Sequence, residues 1–154
     1  MPCIETTRFG AIDYPDDAVI HFPVGLPAFE SDTQFLAIER PDAAPLIFLQ
    51  SLIHPPLCFL TLPALVIDPV YRLSLCPEDL LLLDLAVGRQ PEIGGNLACL
   101  CILTIPEDGS VTANLMAPVV IRRDTRMGVQ TVQIDGTHSH RHPLFPGAEV
   151  LACL

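Results

Sequence analysis

The chain contains no lysine; all eight of its basic residues are arginines. Without a side-chain amine it has no residue for Schiff-base chemistry and no phosphate-cradling P-loop lysine. Eight basic against eighteen acidic residues leave a formal net charge of −10. So few cations exclude the basic face that a nucleic-acid backbone requires, and they disfavour an anionic membrane surface. The same imbalance favours a basic protein partner, drawn in by the long-range field. Familiar catalytic signatures are missing too. No G-x-S-x-G occurs, and Ser139 stands between two histidines rather than on a nucleophile elbow. The glycines form neither a G-x-G-x-x-G nor a Walker pattern.

The six cysteines, Cys3, Cys58, Cys76, Cys99, Cys101 and Cys153, include no C-x-x-C pair. The opening Met1-Pro2-Cys3-Ile4-Glu5 lacks the basic start and apolar run of a secretory signal. Reduced thiols in a cytoplasm are therefore expected. Cys99 and Cys101 alternate on one face of a strand and read as small core residues. From Ala43 to Ile67 there is no charged residue, a length that would span a bilayer. Pro45, Pro55, Pro56 and Pro63 interrupt it, however, with Gln50 and His54 inside. Short buried strands separated by turns explain it better. There is no internal repeat and no linker.

What is present points to a single β domain. A chain of 154 residues can bury about 68–70% of its unfolded surface, enough to fold without a metal or disulfide. Sixteen prolines and nine glycines punctuate it at short intervals. Strands are expected at Thr6–Phe9 and Ala11–Tyr14 (turning at Gly10), Val19–Phe22, Gln34–Glu39, Leu46–Ser51, Cys58–Leu62, Tyr71–Leu75, Leu97–Ile105, Val111–Leu115, Val119–Arg122 and Val129–Ile134. Pro77 to Leu85 is the one good helix, with proline at its start, acids in the first turn and leucines after, capped by Ser74 or Cys76. The expected fold is mainly β: an antiparallel β-roll or partial barrel with one short α-helix, over residues 1–144. Residues 145–154 form a C-terminal tail, within which Ala148–Leu154 packs as a short apolar segment or frays.

The most telling run is Thr112-Ala113-Asn114-Leu115-Met116-Ala117-Pro118-Val119-Val120-Ile121. It reads as a strand, an interruption at Ala117-Pro118, and a second β-branched strand. A buried amide without partners costs about 1–3 kcal/mol. Asn114 is therefore expected to be tied down by the backbone of a bend. Gly128 to Gln133 supplies the return strand.

The sharpest chemical candidate is His138-Ser139-His140-Arg141-His142. In an extended segment alternate residues share a face, so His138, His140 and His142 would converge on one metal ion, like an open zinc site. A small metal-binding β-roll enzyme is the alternative reading this cluster supports. Against it, the segment is flanked by Gly and Pro, and Asp135 is the only near carboxylate. The acid pairs Asp16/Asp17 and Glu107/Asp108 fall at turns, where solvated carboxylates are the default.

Taken in order, these signals resemble the flagellar assembly factor FliW family. The resemblance begins at Phe9-Gly10, continues through Val19-Ile20-His21-Phe22 and reaches Gly25-Leu26-Pro27-Ala28-Phe29-Glu30. There Ala28 stands where the family has a glycine. It continues at Phe48-Leu49-Gln50-Ser51, Pro63 and Pro69-Val70-Tyr71, where Val70 and Arg72 replace two family acids. Its strongest part is Thr112-Ala113-Asn114-Leu115 with Ala117-Pro118, then Gly128 and Gln130, and it ends at Arg141-His142-Pro143-Leu144. The ordered set spans residues 6 to 144.

The resemblance implies a small, mostly β cytoplasmic protein without catalytic activity or cofactor. It implies two exchanging partners: newly made flagellin monomers and the RNA-binding translational regulator CsrA. CsrA's repression of flagellin synthesis is relieved when it is bound. A monomer that forms heteromeric complexes is expected, with no direct nucleic-acid or membrane contact. Gly10, Gly25, Pro27, Asn114 and Pro118 read as architectural, shaping turns and bends. Asp16, Asp17, Glu30 and Asp32 are the candidate partner-binding acids, set against an ordinary solvated surface. No contact is carried over at Val70 and Arg72, where the acids are lost.

Overall fold

A computed structural model describes residues 1–107 and 109–144. The expected tail at 145–154, with Cys153, and Asp108 of the expected turn lie outside the described residues. Strands β1 (Cys3–Thr6) and β2 (Gly10–Asp13) form a separate hairpin. It begins earlier than expected because Gly10, at φ +68°, opens the return strand.

The main sheet contains β3 (Ile20–His21), β4 (Gln34–Glu39), β5 (Ile47–Ser51), β6 (Cys58–Pro63), β7 (Leu97–Thr104), β8 (Thr112–Ala113), β9 (Val119–Arg122), β10 (Met127–Gln130) and β11 (His142–Pro143). Seven of these strands close into a ring, in the order β7-β6-β5-β4-β3-β10-β9, with β9 returning to β7. The expected partial barrel is thus a closed one. All ring contacts are antiparallel except β3 with β10, which pair in parallel through His21 and Met127. Closure removes the exposed edges that an open sheet would carry.

The period-two alternation of the strands makes two cores. Ile20, Phe22, Phe35, Leu49, Leu100, Val119 and Ile121 fill the barrel lumen. Phe48, Leu62, Cys99, Cys101, Leu103, Val120 and Val129 face outward, yet they too are buried. The segment between β6 and β7 covers them with Leu73, Leu75, Leu80 and Leu83. β7 is therefore apolar on both faces, which is why its sequence runs Leu-Ala-Cys-Leu-Cys-Ile-Leu without a charge. Cys99 and Cys101 are small core residues on one face, as expected. Burial pushes the Cys101 thiol up to about 12 and raises that of Cys99 further.

The covering segment holds two α-helices rather than one: α1 (Ala64–Ile67) and α2 (Pro77–Leu82). α2 starts with Pro77 behind Cys76 as the capping position, with Glu78 and Asp79 in its first turn. The expected strand at Tyr71–Leu75 does not form. Two glutamine amides take the place of a neighbouring strand. Gln133 Oε1 accepts from Ser74 N (2.7 Å) while its Nε2 donates to Arg72 O (2.7 Å). Gln90 does the same for both backbone groups of Leu75 (2.7 and 3.0 Å). The last return strand also ends sooner than expected, at Gln130. Its partner beyond that point is the 114–118 bend. Thr131 N and Gln133 N still donate to Pro118 O and Met116 O (3.0 and 2.8 Å), but Pro118 has no N–H with which to continue a ladder.

Candidate functional surface

One end of the barrel is plugged by aromatic rings. Phe22 meets Phe35 edge to face at 5.3 Å, Phe35 lies 6.1 Å from Phe59, and Phe59 meets Phe29 at 5.3 Å. Gly128 is required beneath this plug, since a Cβ there would sit 2.6 Å from the Phe22 ring. Phe29 belongs to the loop that leaves β3, and this loop and the 51–57 turn form a platform over the plugged end.

The loop is built by local backbone chemistry. Gly25 has φ +67°, and a Cβ on it would lie 2.5 Å from the Glu30 backbone. Only glycine permits that approach. Leu26 to Phe29 close a tight turn, with Phe29 N donating to Leu26 O at 2.7 Å. Pro27 occupies the second position and Ala28, at φ +70°, the third. This is the arrangement of a type II turn, whose third position favours glycine.

A buried polar cluster pins this loop to the 51–57 turn. Asp32 is 2% exposed, and its Oδ1 accepts from Ser51 Oγ (2.6 Å) and from His54 Nδ1 (2.7 Å). Ser51 Oγ in turn accepts from Ile53 N and His54 N (3.1 and 2.9 Å). Gln50, fully buried, donates to Ser51 O, Pro55 O and Leu57 O (3.0, 2.9 and 3.2 Å). With the backbone so held, the platform presents Val24, Phe29 and Ile53 to solvent, beside Glu30 and His54. A shallow groove of about 550 Å³ runs between Phe29, Glu30, His54 and Leu57.

The four candidate acids do not share one face. Asp16 and Asp17 lie exposed in a 3-10 turn before β3, and Glu30 lies exposed in the loop that leaves the other end of β3. Asp32 is withdrawn from the surface into the pinning cluster. Sequence reasoning missed the partners that hold it, Ser51 and His54, and Gln50, which braces the 51–57 turn beside them. The signal available was the polar pair Gln50-Ser51 ending an otherwise apolar strand, because buried polar groups must find partners.

The Asn114 bend is as expected. Asn114 Oδ1 accepts from Met116 N and Ala117 N (3.1 and 2.9 Å). The bend lets β8 and then β9 pair in succession along one edge of β7: Ala113 opposes Leu103, and Val119 opposes Leu100. Six steps along one chain oppose three along the other, and the bend takes up the excess.

The three histidines do not converge. His138 packs against Tyr71 with ring centres 4.6 Å apart and planes tilted by 44°, and lies 3.9 Å from an Asp135 oxygen. The chain turns at His140 and Arg141, and His142 enters β11 opposite Ala113. The extended geometry that would have put the three rings on one face is lost to that turn. Among the described residues no three His, Cys, Asp or Glu side chains are placed to hold a metal ion. Among them, too, no helix is long and apolar enough to cross a membrane.

Comparison with known proteins places this architecture. The family model described as FliW protein matches residues 3–144. The flagellar assembly factor FliW of Syntrophomonas wolfei is 32% identical over 143 residues, covering 92% of this chain and 88% of that protein. The protein of the same name from Heliobacterium modesticaldum is 33% identical, covering 94% and 92%. A crystal structure of the flagellar assembly factor FliW superposes with a TM-score of 0.80 at 30% identity, over 94% of this chain and 98% of that one.

Proposed function

We propose, on the premise that the chain belongs to the FliW family of flagellar assembly factors, that it acts by binding proteins rather than by catalysis. In this reading it is a cytoplasmic monomer that binds flagellin and antagonises the translational regulator CsrA. Exchange of the two partners then couples free flagellin to its own translation. The observation that carries the reading is the family match along 3–144 together with the shared fold. The net charge of −10 supports it, since a regulator that binds RNA is basic where it meets RNA and is steered toward an acidic protein.

The contact acids in this reading are Asp16, Asp17 and Glu30, with Asp32 holding the loop beneath. Because the exposed acids flank opposite ends of β3, they form two separate sites of contact. The test is a titration of the purified protein against flagellin and against CsrA from the same organism, at two salt concentrations. Binding to both, with flagellin displacing CsrA, is expected, and the CsrA arm should weaken with salt. Absence of binding to either partner would overturn the reading. The double variant D16K/D17K and the single variant E30K then test each end. If both leave CsrA affinity unchanged in a folded protein, the acids are ordinary solvated surface.

A further inference from the structure

The end of the barrel opposite the aromatic plug is open. A cavity of about 420 Å³, in the range of small-molecule sites, opens there between inward residues of the strands and Leu65 and Ile93 of the segment that follows β6. The cause is legible in the inward positions of the strands. A small barrel normally fills its interior with side chains. Here Ala37 of β4 and Ala98 of β7 stand at inward positions where the other strands place larger residues such as Ile20, Ile47 and Ile121. Two alanines at this level leave the space unfilled, and its wall is aliphatic.

The polar groups at the mouth are few and of unequal sign. Arg123 and Arg126, the first and last residues of the β9–β10 turn, line it together with the single carboxylate of Glu39. Two guanidinium groups thus face one acid, in a protein whose net charge is −10. Arg126 has φ +59° and is held by its Nη2 donating to Ala18 O at 2.7 Å. Its Nε is buried and has no hydrogen-bond partner in the protein. The outer nitrogens of the guanidinium are what an anionic head at the mouth would meet, and a carboxylate is the acceptor a guanidinium pairs with best. Arg123 is anchored beside it through a bond to Gly95 O.

From the aliphatic cavity and the two arginines at its rim, we infer that the barrel mouth binds a medium-chain aliphatic carboxylate, its chain in the cavity and its head on Arg123 and Arg126. The aliphatic wall selects a saturated chain over a polar or sugar-like ligand, and the arginines select the carboxylate over an alcohol. This site lies at the other end of the barrel from the loop platform; Asp16 and Asp17 adjoin it through Ala18, whose carbonyl holds Arg126.

The test is calorimetric titration of the full chain with decanoate and with decanol. Decanoate should bind with one-to-one stoichiometry and at least tenfold more tightly than decanol. In a sample labelled with ¹³C at alanine methyls, decanoate should shift Ala37 and Ala98 and leave Ala113, on the outer core, unmoved. The cavity-filling variant A37W, at an exposed inward position, should abolish binding with the fold intact. R123Q should reduce decanoate affinity severalfold and leave decanol unchanged. Should A37W fail to fold, the alanine methyl shifts in the wild-type protein decide the location. Three results would overturn the inference: no saturable decanoate binding, equal affinity for the two ligands, or shifts that avoid Ala37 and Ala98.

Discussion

Replacing Ala28 with glycine should stabilise the protein, by a margin set by the backbone of a single turn. Ala28 is held at φ +70° by a turn whose closing bond, Phe29 N to Leu26 O, is 2.7 Å long. Its side chain is exposed, so removing the methyl loses little packing. Holding an L-residue in the left-handed region costs about 1–2 kcal/mol. Glycine escapes that cost but brings back about 0.5–1 kcal/mol of unfolded-state freedom. The difference is a net gain of about 0–1.5 kcal/mol, centred at about 0.75 kcal/mol. In a domain of this size the central value corresponds to a rise in Tm of about 1.5–3 °C. Thermal and urea unfolding followed by circular dichroism would measure it, with the urea midpoint moving upward and the m-value unchanged. G25A is the opposed control. Its added Cβ meets the Glu30 backbone at 2.5 Å and its φ is also positive, so it should destabilise the protein severely. If A28G were less stable than the parent while G25A behaved as expected, the turn geometry assigned to Ala28 would be refuted.

Other expectations follow from single contacts. N114A removes the acceptor shared by Met116 N and Ala117 N, and should cost about 1–3 kcal/mol in urea unfolding. An unchanged midpoint would mean that water replaces the amide without loss. G128A drives a methyl into the fully buried Phe22 ring, and should cost about 1–3 kcal/mol, read as a lower Tm. Stability should also fall with alkalinity. Burial raises the Cys58 thiol from 9.0 to about 11 and that of Cys101 to about 12, so the folded state keeps protons that the unfolded state releases. Their contribution is fully present below pH 9 and is lost as pH rises through 11 to 12. Urea midpoints at pH 8 and pH 10 should therefore differ, with a shallower slope in the C58A/C101A variant.

Much of the fold is legible along the chain because its causes are local. β4 (Gln34–Glu39) and β9 (Val119–Arg122) lie where alternating or β-branched runs place them. The helix begins at Pro77 because proline and two acids suit a first turn. The Asn114 bend follows from a rule as local: a polar side chain in an apolar run must find backbone partners. Tyr71–Leu75 misleads for an equally physical reason. Its extended backbone is satisfied by the side chains of Gln90 and Gln133, and no pattern within the segment announces which partner it will meet.

The sequence by itself determined the charge, the excluded chemistries, the period-two strands and the turns that need Gly10 and Gly25. Tertiary structure alone decided the closure of the ring through the parallel contact of β3 with β10. It alone withdrew Asp32 from the surface, parted the acids to opposite ends of β3 and separated the three histidines. The mouth cavity is of the same kind, because Ala37 and Ala98 are unremarkable in their own strands and leave a void only where the barrel sets them at one level. Local conformation follows from neighbours in the chain, whereas burial, electrostatic neighbours and empty space depend on residues brought together only by closing the sheet.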